Sequence, residues 1–149
     1  MSETPICPLG GLRKVLLATD GSLHSEAALR EAMKIAKACT TKLYILSVIE
    51  ANPEYESLAP LLVEKAEKEA KKLLDSMKEC AEKEGIECET IVHEGDEPYE
   101  FIVDEAGRKK VDMIIMGRHG RKGLKRLLMG SVTSKVVGHA PCSVLVVTG

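Results

Sequence analysis

Glycine and serine residues with a spacing suited to phosphate binding stand within residues 117–131 of this 149-residue chain. Gly117 and Gly120 come first, and nine residues separate Gly120 from Gly130 and Ser131. Glycines let the backbone approach a ligand closely, and the first N–H groups of a helix attract an anion. Because an apolar segment precedes this motif and a helix-like segment follows it, the spacing predicts a phosphate-binding loop between a strand and a helix. Ser131 is expected to cap that helix and to reach a phosphate oxygen.

A carboxylate follows another predicted strand. The apolar run over 13–19 leads into Asp20, Gly21 and Ser22, which is typical of a turn. Asp20 is either an acceptor for ribose hydroxyls or a cap for the next helix. In an open parallel sheet, ligands bind beyond the carboxyl ends of the strands where the strand order reverses. If the two strands flank that point, Asp20 and Gly117 face each other across one cleft.

The loop after Gly117 is basic and suits a triphosphate. It contains Arg118 and His119 and four further Lys and Arg residues over 121–126. A solvated basic loop and a small RNA-binding patch remain the alternatives. One Phe and no Trp in the chain supply little stacking for nucleic-acid recognition, so a nucleic-acid partner is not favoured. His119 has no visible partner, and we assign no catalytic residue.

Strand-like and helix-like segments alternate along the chain. Strands are predicted at 13–19, 42–49, 86–93, 111–116 and 142–147. Helices are predicted from Ser22 or Ser25 to 39, and at 58–84, 98–108 and 131–138, with 51–57 as a loop and Leu62 in the buried stripe of the second helix. This alternation predicts a three-layer, doubly wound α/β fold with a five-stranded parallel sheet.

Length and composition limit the function classes. We predict a flexible leader over 1–12 and one domain over 13–149. There is no long apolar stretch and no signal-peptide pattern, so we predict a cytoplasmic protein without a membrane partner. The five cysteines, an odd number without a C-x-x-C pair, are predicted to be reduced thiols.

Several nucleotide and hydrolase motifs are missing from the sequence. No G-x-G-x-x-G follows the first predicted strand, and neither G-x-x-x-x-G-K-[ST] nor G-x-S-x-G occurs. These absences argue against a dinucleotide-binding Rossmann domain, a P-loop ATPase and a serine hydrolase of the nucleophile-elbow type.

The chain resembles the universal stress protein (UspA-like) family, ATP-binding branch, over 14–147. Three segments carry the resemblance: VLLATDGS at 15–22, the pattern G-x2-G-x9-G-[ST] at 117–131, and APCSVLVV at 140–147. The resemblance implies strand order 3-2-1-4-5 in a Rossmann-like, adenine nucleotide alpha hydrolase-like fold. It also implies ATP in the cleft and a homodimer formed through strand 142–147.

The resemblance further implies a set of ATP-binding residues at three strand ends and at the start of the last helix. Those expected near the nucleoside are Ala18, Thr19, Asp20 and Val48, with Val48 beside the adenine and with Met116 and Gly117 at the ribose. Those expected at the phosphates are Gly120, Gly130, Ser131 and Val132, with Arg118 and His119 nearby. Ala18 departs from the family pattern, which often has proline or a bulkier residue there. The resemblance allows Mg²⁺ or Mn²⁺ held mainly by the phosphates, and we assign no metal ligand in the chain.

The leading hypothesis is an ATP-binding protein that acts as a switch or binding module in stress response. Two alternatives stay open: a slow or partner-activated ATPase, and a sensor of AMP or another adenylate.

Overall fold

The described strands form one parallel sheet in the order β3-β2-β1-β4-β5. A computed structural model describes residues 11–21, 23–118 and 129–148 of the chain. The strands are β1 Lys14–Ala18, β2 Lys42–Glu50, β3 Cys88–Gly95, β4 Met113–Gly117 and β5 Ser143–Val147. The helices are α1 Leu23–Cys39, α2 Pro53–Leu58, α3 Pro60–Lys83, α4 Pro98–Lys109 and α5 Ser131–His139. The predicted fold class and strand order are therefore confirmed.

Helices cover both faces of the sheet, which explains why its inner strands are almost continuously apolar. On β1, Val15 and Leu17 point to the face covered by α1 and α3, whereas Leu16 and Ala18 point to the face covered by α4 and α5. Successive residues of a strand point to opposite faces, so each face receives its own hydrophobic core. None of the helices in the described part of the chain combines the length and hydropathy that a membrane crossing needs.

The strand order reverses between β1 and β4. From β1 the chain passes through α1 to β2 on one side, and from β4 it passes through α5 to β5 on the other side. The two connections cover opposite faces of the sheet, so a crevice opens between the carboxyl ends of β1 and β4. This crevice is where the sequence predicted that two polar segments would meet.

Two predictions about the region after β2 are wrong. Residues 51–57 were expected to be a loop, but they contain most of α2, which begins at Pro53. Asn52 caps this helix, because its Oδ1 accepts a hydrogen bond from the Tyr55 N–H at 2.6 Å. Leu62, expected in the buried stripe of α3, is 57% exposed, whereas Leu74 in the same helix is fully buried. Helical spacing identifies a face of a helix but not whether the sheet extends far enough to cover it.

Smaller differences concern one strand and one cysteine. The strand β3 begins and ends two residues later than predicted, because it pairs with β2 from Cys88, opposite Leu43, as far as Gly95. Cys80, Cys88 and Cys142 are free thiols, as predicted, but Cys39 is disulfide-bonded, so the prediction for that residue is wrong. Residues 1–10 of the predicted leader and the alternative helix start at Ser22 lie outside the described residues.

Candidate nucleotide-binding site

The carboxyl end of β1 forms a tight polar turn at the crevice. The Thr19 N–H donates to the Leu46 carbonyl at 2.9 Å, which ties this end to β2. The Ser25 hydroxyl donates to Asp20 Oδ1 at 2.8 Å and accepts from the Asp20 N–H at 3.1 Å. Gly21 follows with φ of 80°, a left-handed conformation that favours glycine. This turn holds the half-buried Asp20 at the end of β1, beside the start of α1.

Ser25 is a residue whose role sequence analysis did not identify. It was considered only as one of two possible starts of the first helix. Because α1 begins at Leu23, Ser25 lies in the first turn, and its hydroxyl bridges back to Asp20. The proximity of a serine to an aspartate in the sequence does not by itself distinguish this bridge from a helix cap.

The carboxyl end of β4 and the start of α5 are fastened to each other. The Gly130 N–H donates to the Arg118 carbonyl at 2.8 Å, and the Arg118 N–H donates to Val147 of β5 at 3.0 Å. The buried Thr133 hydroxyl donates to the Gly117 carbonyl at 2.9 Å. Both ends of the glycine motif therefore lie together at the end of β4. Sequence analysis had no signal that Thr133 makes this contact.

The start of α5 is suited to an anion. The first hydrogen bond within the helix runs from the Ser134 N–H to the Gly130 carbonyl at 2.9 Å, so the preceding N–H groups have no intrahelical acceptor. Gly130 is the N-cap, with extended backbone angles and no side-chain cap, so the prediction that Ser131 caps the helix is wrong. Ser131 is the first helical residue and is exposed. Such a helix start, beside a glycine without a side chain, leaves room for a phosphate and provides N–H donors for it.

Residues that are apolar, apart from Thr19, complete the crevice on its other side. Ala18, Thr19 and Met116 are buried at the ends of β1 and β4, and Val48 is half-buried near the end of β2. Val48 packs against the same core as Ala18 and Met116, on the face covered by α4 and α5. The structure thus brings the predicted nucleoside residues to one edge of the sheet, next to the end of β4.

Two predicted phosphate residues, His119 and Gly120, lie outside the described residues. In the parts of the chain that the structure describes, no group of three or more His, Cys, Asp or Glu residues is placed to hold a metal ion.

A buried acid on α4, Glu105, contacts the edge strand β3, which lies on the far side of β2 from the crevice. Burial raises the pKa of Glu105, but its hydrogen bond with His93 and the Lys109 ammonium at 3.2 Å lower the pKa by more, so the carboxyl has a pKa below its ordinary value. Glu105 is therefore a carboxylate at neutral pH, and it links α4 to β3 through His93.

The comparison of the whole chain with known families is decisive. A profile described as the universal stress protein family matches residues 11–148. The chain belongs to the universal stress protein family. The universal stress protein MJ0531 of Methanocaldococcus jannaschii is 37% identical to it over 139 residues, which cover 91% of this chain and 81% of that protein.

Solved structures agree with this assignment. Hypothetical protein MJ0577 superimposes on this universal stress protein with a TM-score of 0.83 at 34% identity, covering 93% of this chain and 96% of that one. A universal stress protein solved in complex with cAMP has a TM-score of 0.67 at 26% identity, covering 92% and 97%. These solved structures thus share the fold seen here, and one of them is a universal stress protein in complex with cAMP.

Proposed function

We propose that this universal stress protein binds ATP in the crevice between β1 and β4 and acts as a nucleotide-dependent switch or binding module in stress response. The observation that carries the proposal is a pair of hydrogen bonds, from the Gly130 N–H to the Arg118 carbonyl and from the Thr133 hydroxyl to the Gly117 carbonyl. These hydrogen bonds hold the start of α5 at the end of β4, where the strand order reverses, and so support an anion site across the crevice from the end of β1. The cAMP complex of a family member supports an adenine nucleotide as the ligand.

Each part of the nucleotide has a proposed partner. Asp20 accepts hydrogen bonds from the ribose hydroxyls, and the Ser25 hydroxyl holds its carboxylate in position. The base lies against Val48, and the ribose meets the end of β4. The remaining members of the proposed site are Ala18, Thr19, Met116 and Gly117 around the nucleoside, and Arg118, His119, Gly120, Gly130, Ser131 and Val132 at the phosphates. A bound Mg²⁺ or Mn²⁺ neutralises phosphate charge.

A matched pair of glycine substitutions tests the phosphate contact. Gly130 has φ of −67° and ψ of 160°, which any residue adopts, so Gly130→Val adds bulk beside the helix start without backbone strain. Gly138 is the control, because a Cβ there meets nothing within 4 Å. We expect Gly130→Val to weaken ATP binding at least about tenfold in titration calorimetry, through loss of charge-assisted hydrogen bonds, and Gly138→Val to change it little.

Equal affinity of wild type and Gly130→Val would contradict the phosphate contact. The nucleotide released by heat from the purified protein identifies the ligand: ATP supports the proposal, and AMP or cAMP favours an adenylate sensor. Single-turnover hydrolysis measured on the same protein tests the alternative of a slow ATPase.

We further propose a homodimer through β5. Among the described strands this one is at an edge of the sheet, and the last four residues of its sequence SVLVV are apolar and half-buried there. Proteins usually cover such an edge, and antiparallel pairing of two copies would do so. The cytoplasmic location stays a prediction from sequence.

A further inference from the structure

A histidine is held in one orientation at the end of β3. Its Nε2 lies 2.9 Å from Glu105 Oε1, and its ring stacks on Phe101 with centroids 4.9 Å apart and planes inclined by 23°. Glu105 is 5% exposed, whereas the His93 side chain is 30% exposed. The imidazole is therefore fixed by two residues of α4 while part of its ring remains accessible.

Gly95 makes room for this arrangement. A Cβ on Gly95 would lie 2.5 Å from Phe101 Cε2 and 2.7 Å from its Cζ. The phenyl ring therefore packs directly against the backbone of β3, two residues beyond His93. A side chain at residue 95 would move the ring on which the imidazole stacks, so the absence of a side chain there is part of how His93 is positioned.

His93 is next to the proposed base contact. It pairs with Val48 in the parallel register of β3 and β2, and neighbouring strands are about 4.8 Å apart. Both side chains are on the face covered by α4, because Val48 packs against the core that contains Ile102 and His93 contacts Phe101 and Glu105. In the proposed binding mode, the phosphates lie at the start of α5, the ribose between the ends of β4 and β1, and the base at β2, so His93 on β3 is the next neighbour of the base.

The contact with Glu105 determines which ring nitrogen of His93 donates. A carboxylate only accepts hydrogen bonds, so the tautomer assigned from this contact has its proton on Nε2. In the neutral ring Nδ1 is then an acceptor. Adenine has an amino donor at position 6, where guanine has a carbonyl acceptor. An acceptor at this place therefore matches adenine and opposes guanine.

We infer that His93 is a specificity-determining residue, which selects adenine over guanine by accepting a hydrogen bond at Nδ1 from the amino group of the base. The inference rests on the proposed nucleotide function. It assigns Glu105 and Phe101 as positioning residues, which act on the base only through His93.

The test compares the affinities of three ligands for wild type and for one double variant. ATP, GTP and the triphosphate of purine riboside, which lacks the amino group, are titrated into wild type and into His93→Leu/Glu105→Leu. The double variant removes the acceptor without leaving a buried carboxylate unpaired. In the double variant we expect the preference for ATP over each of the other two ligands to fall about tenfold. This is the affinity that one hydrogen bond contributes, a bond that purine riboside triphosphate lacks and that the guanine carbonyl cannot make. His139→Leu, at the far end of α5, is the histidine control and should keep the wild-type ratios.

A second measurement does not depend on the variant folding. In wild type labelled with ¹⁵N, saturation with ATP should shift the His93 Nδ1 resonance more than the Nε2 resonance, and purine riboside triphosphate should not. Unchanged ligand ratios in a folded double variant, or no Nδ1 shift with ATP bound, would overturn the inference and leave the proposed function intact. Failure of wild type to bind ATP at all would overturn both.

Discussion

The hydroxyl of Thr133 is the contact whose removal best tests how the start of α5 is positioned. It donates to the Gly117 carbonyl at 2.9 Å and is buried, with 3% of the residue exposed. Thr133→Val keeps the shape and β-branching of the side chain but replaces the donor with a methyl group. The Gly117 carbonyl then loses this donor inside the protein, next to the proposed ribose and phosphate contacts.

The expected loss of stability follows from this geometry. Removing one partner of a buried hydrogen bond costs about 1–3 kcal/mol, because the remaining group stays desolvated. Taking the middle of that range, we expect the free energy of unfolding to fall by about 2 kcal/mol. For a domain near 150 residues each kcal/mol lowers Tm by about 2–4 °C, so Tm should fall by about 4–8 °C. ATP affinity should fall as well, since α5 loses one of its attachments to β4.

Urea unfolding and ATP titration of two variants measure these effects. Thr133→Ser is the matched variant: it keeps the hydroxyl and loses one methyl group, so it should lose only about 1 kcal/mol. The valine variant should therefore be the less stable of the two and should bind ATP more weakly. If valine is as stable as wild type, or binds ATP better than serine does, the hydroxyl does not position α5 and the reasoning is refuted.

Two further predictions concern pH and assembly. The pKa of Glu105 is lower in the folded than in the unfolded protein, so its hydrogen bond with His93 and its ion pair with Lys109 stabilise the fold above about pH 4.3 and lose this effect as pH falls through the folded pKa. Glu105→Gln should therefore be less stable than wild type in urea at neutral pH, and the difference should shrink in acid; a constant difference would contradict the shift. Val146→Lys in β5 should lower the sedimentation coefficient by weakening the proposed dimer, whereas Leu61→Lys on exposed α3 should not, and equal coefficients for wild type and Val146→Lys would count against pairing through β5.

The sheet and its helices were predictable because their signals are local and repeated. The alternation of strand-like and helix-like segments identified the parallel sheet and the helices between its strands. The start of α2 has a local signal, since Asn52 and Pro53 form a typical cap and first position, so the loop predicted over 51–57 is wrong despite that signal. The prediction for Leu62 is wrong because burial depends on how far the sheet extends, which spacing along one helix does not encode.

The candidate site was only partly predictable, for a different reason. The spacing of the glycine motif identified both of its ends, but the contact that joins them depends on the fold. The Thr133 hydroxyl and the Gly117 carbonyl are brought together by the packing of α5 on the sheet. Likewise, His93 neighbours Val48 only through the register of β3 on β2. Contacts between elements distant in sequence have no local pattern that records them.

The hydrogen bond between the Gly130 N–H and the Arg118 carbonyl has a consequence for how this protein could diversify. It fixes the two ends of residues 119–129 beside each other, whatever sequence joins them. Doubling the number of residues between two such fixed ends costs only about 0.6 kcal/mol more in closure entropy. Evolution or protein engineering is thus able to exchange the stretch between Gly120 and Gly130 for others of different length and charge, and to acquire new recognition properties while the sheet and its core stay the same.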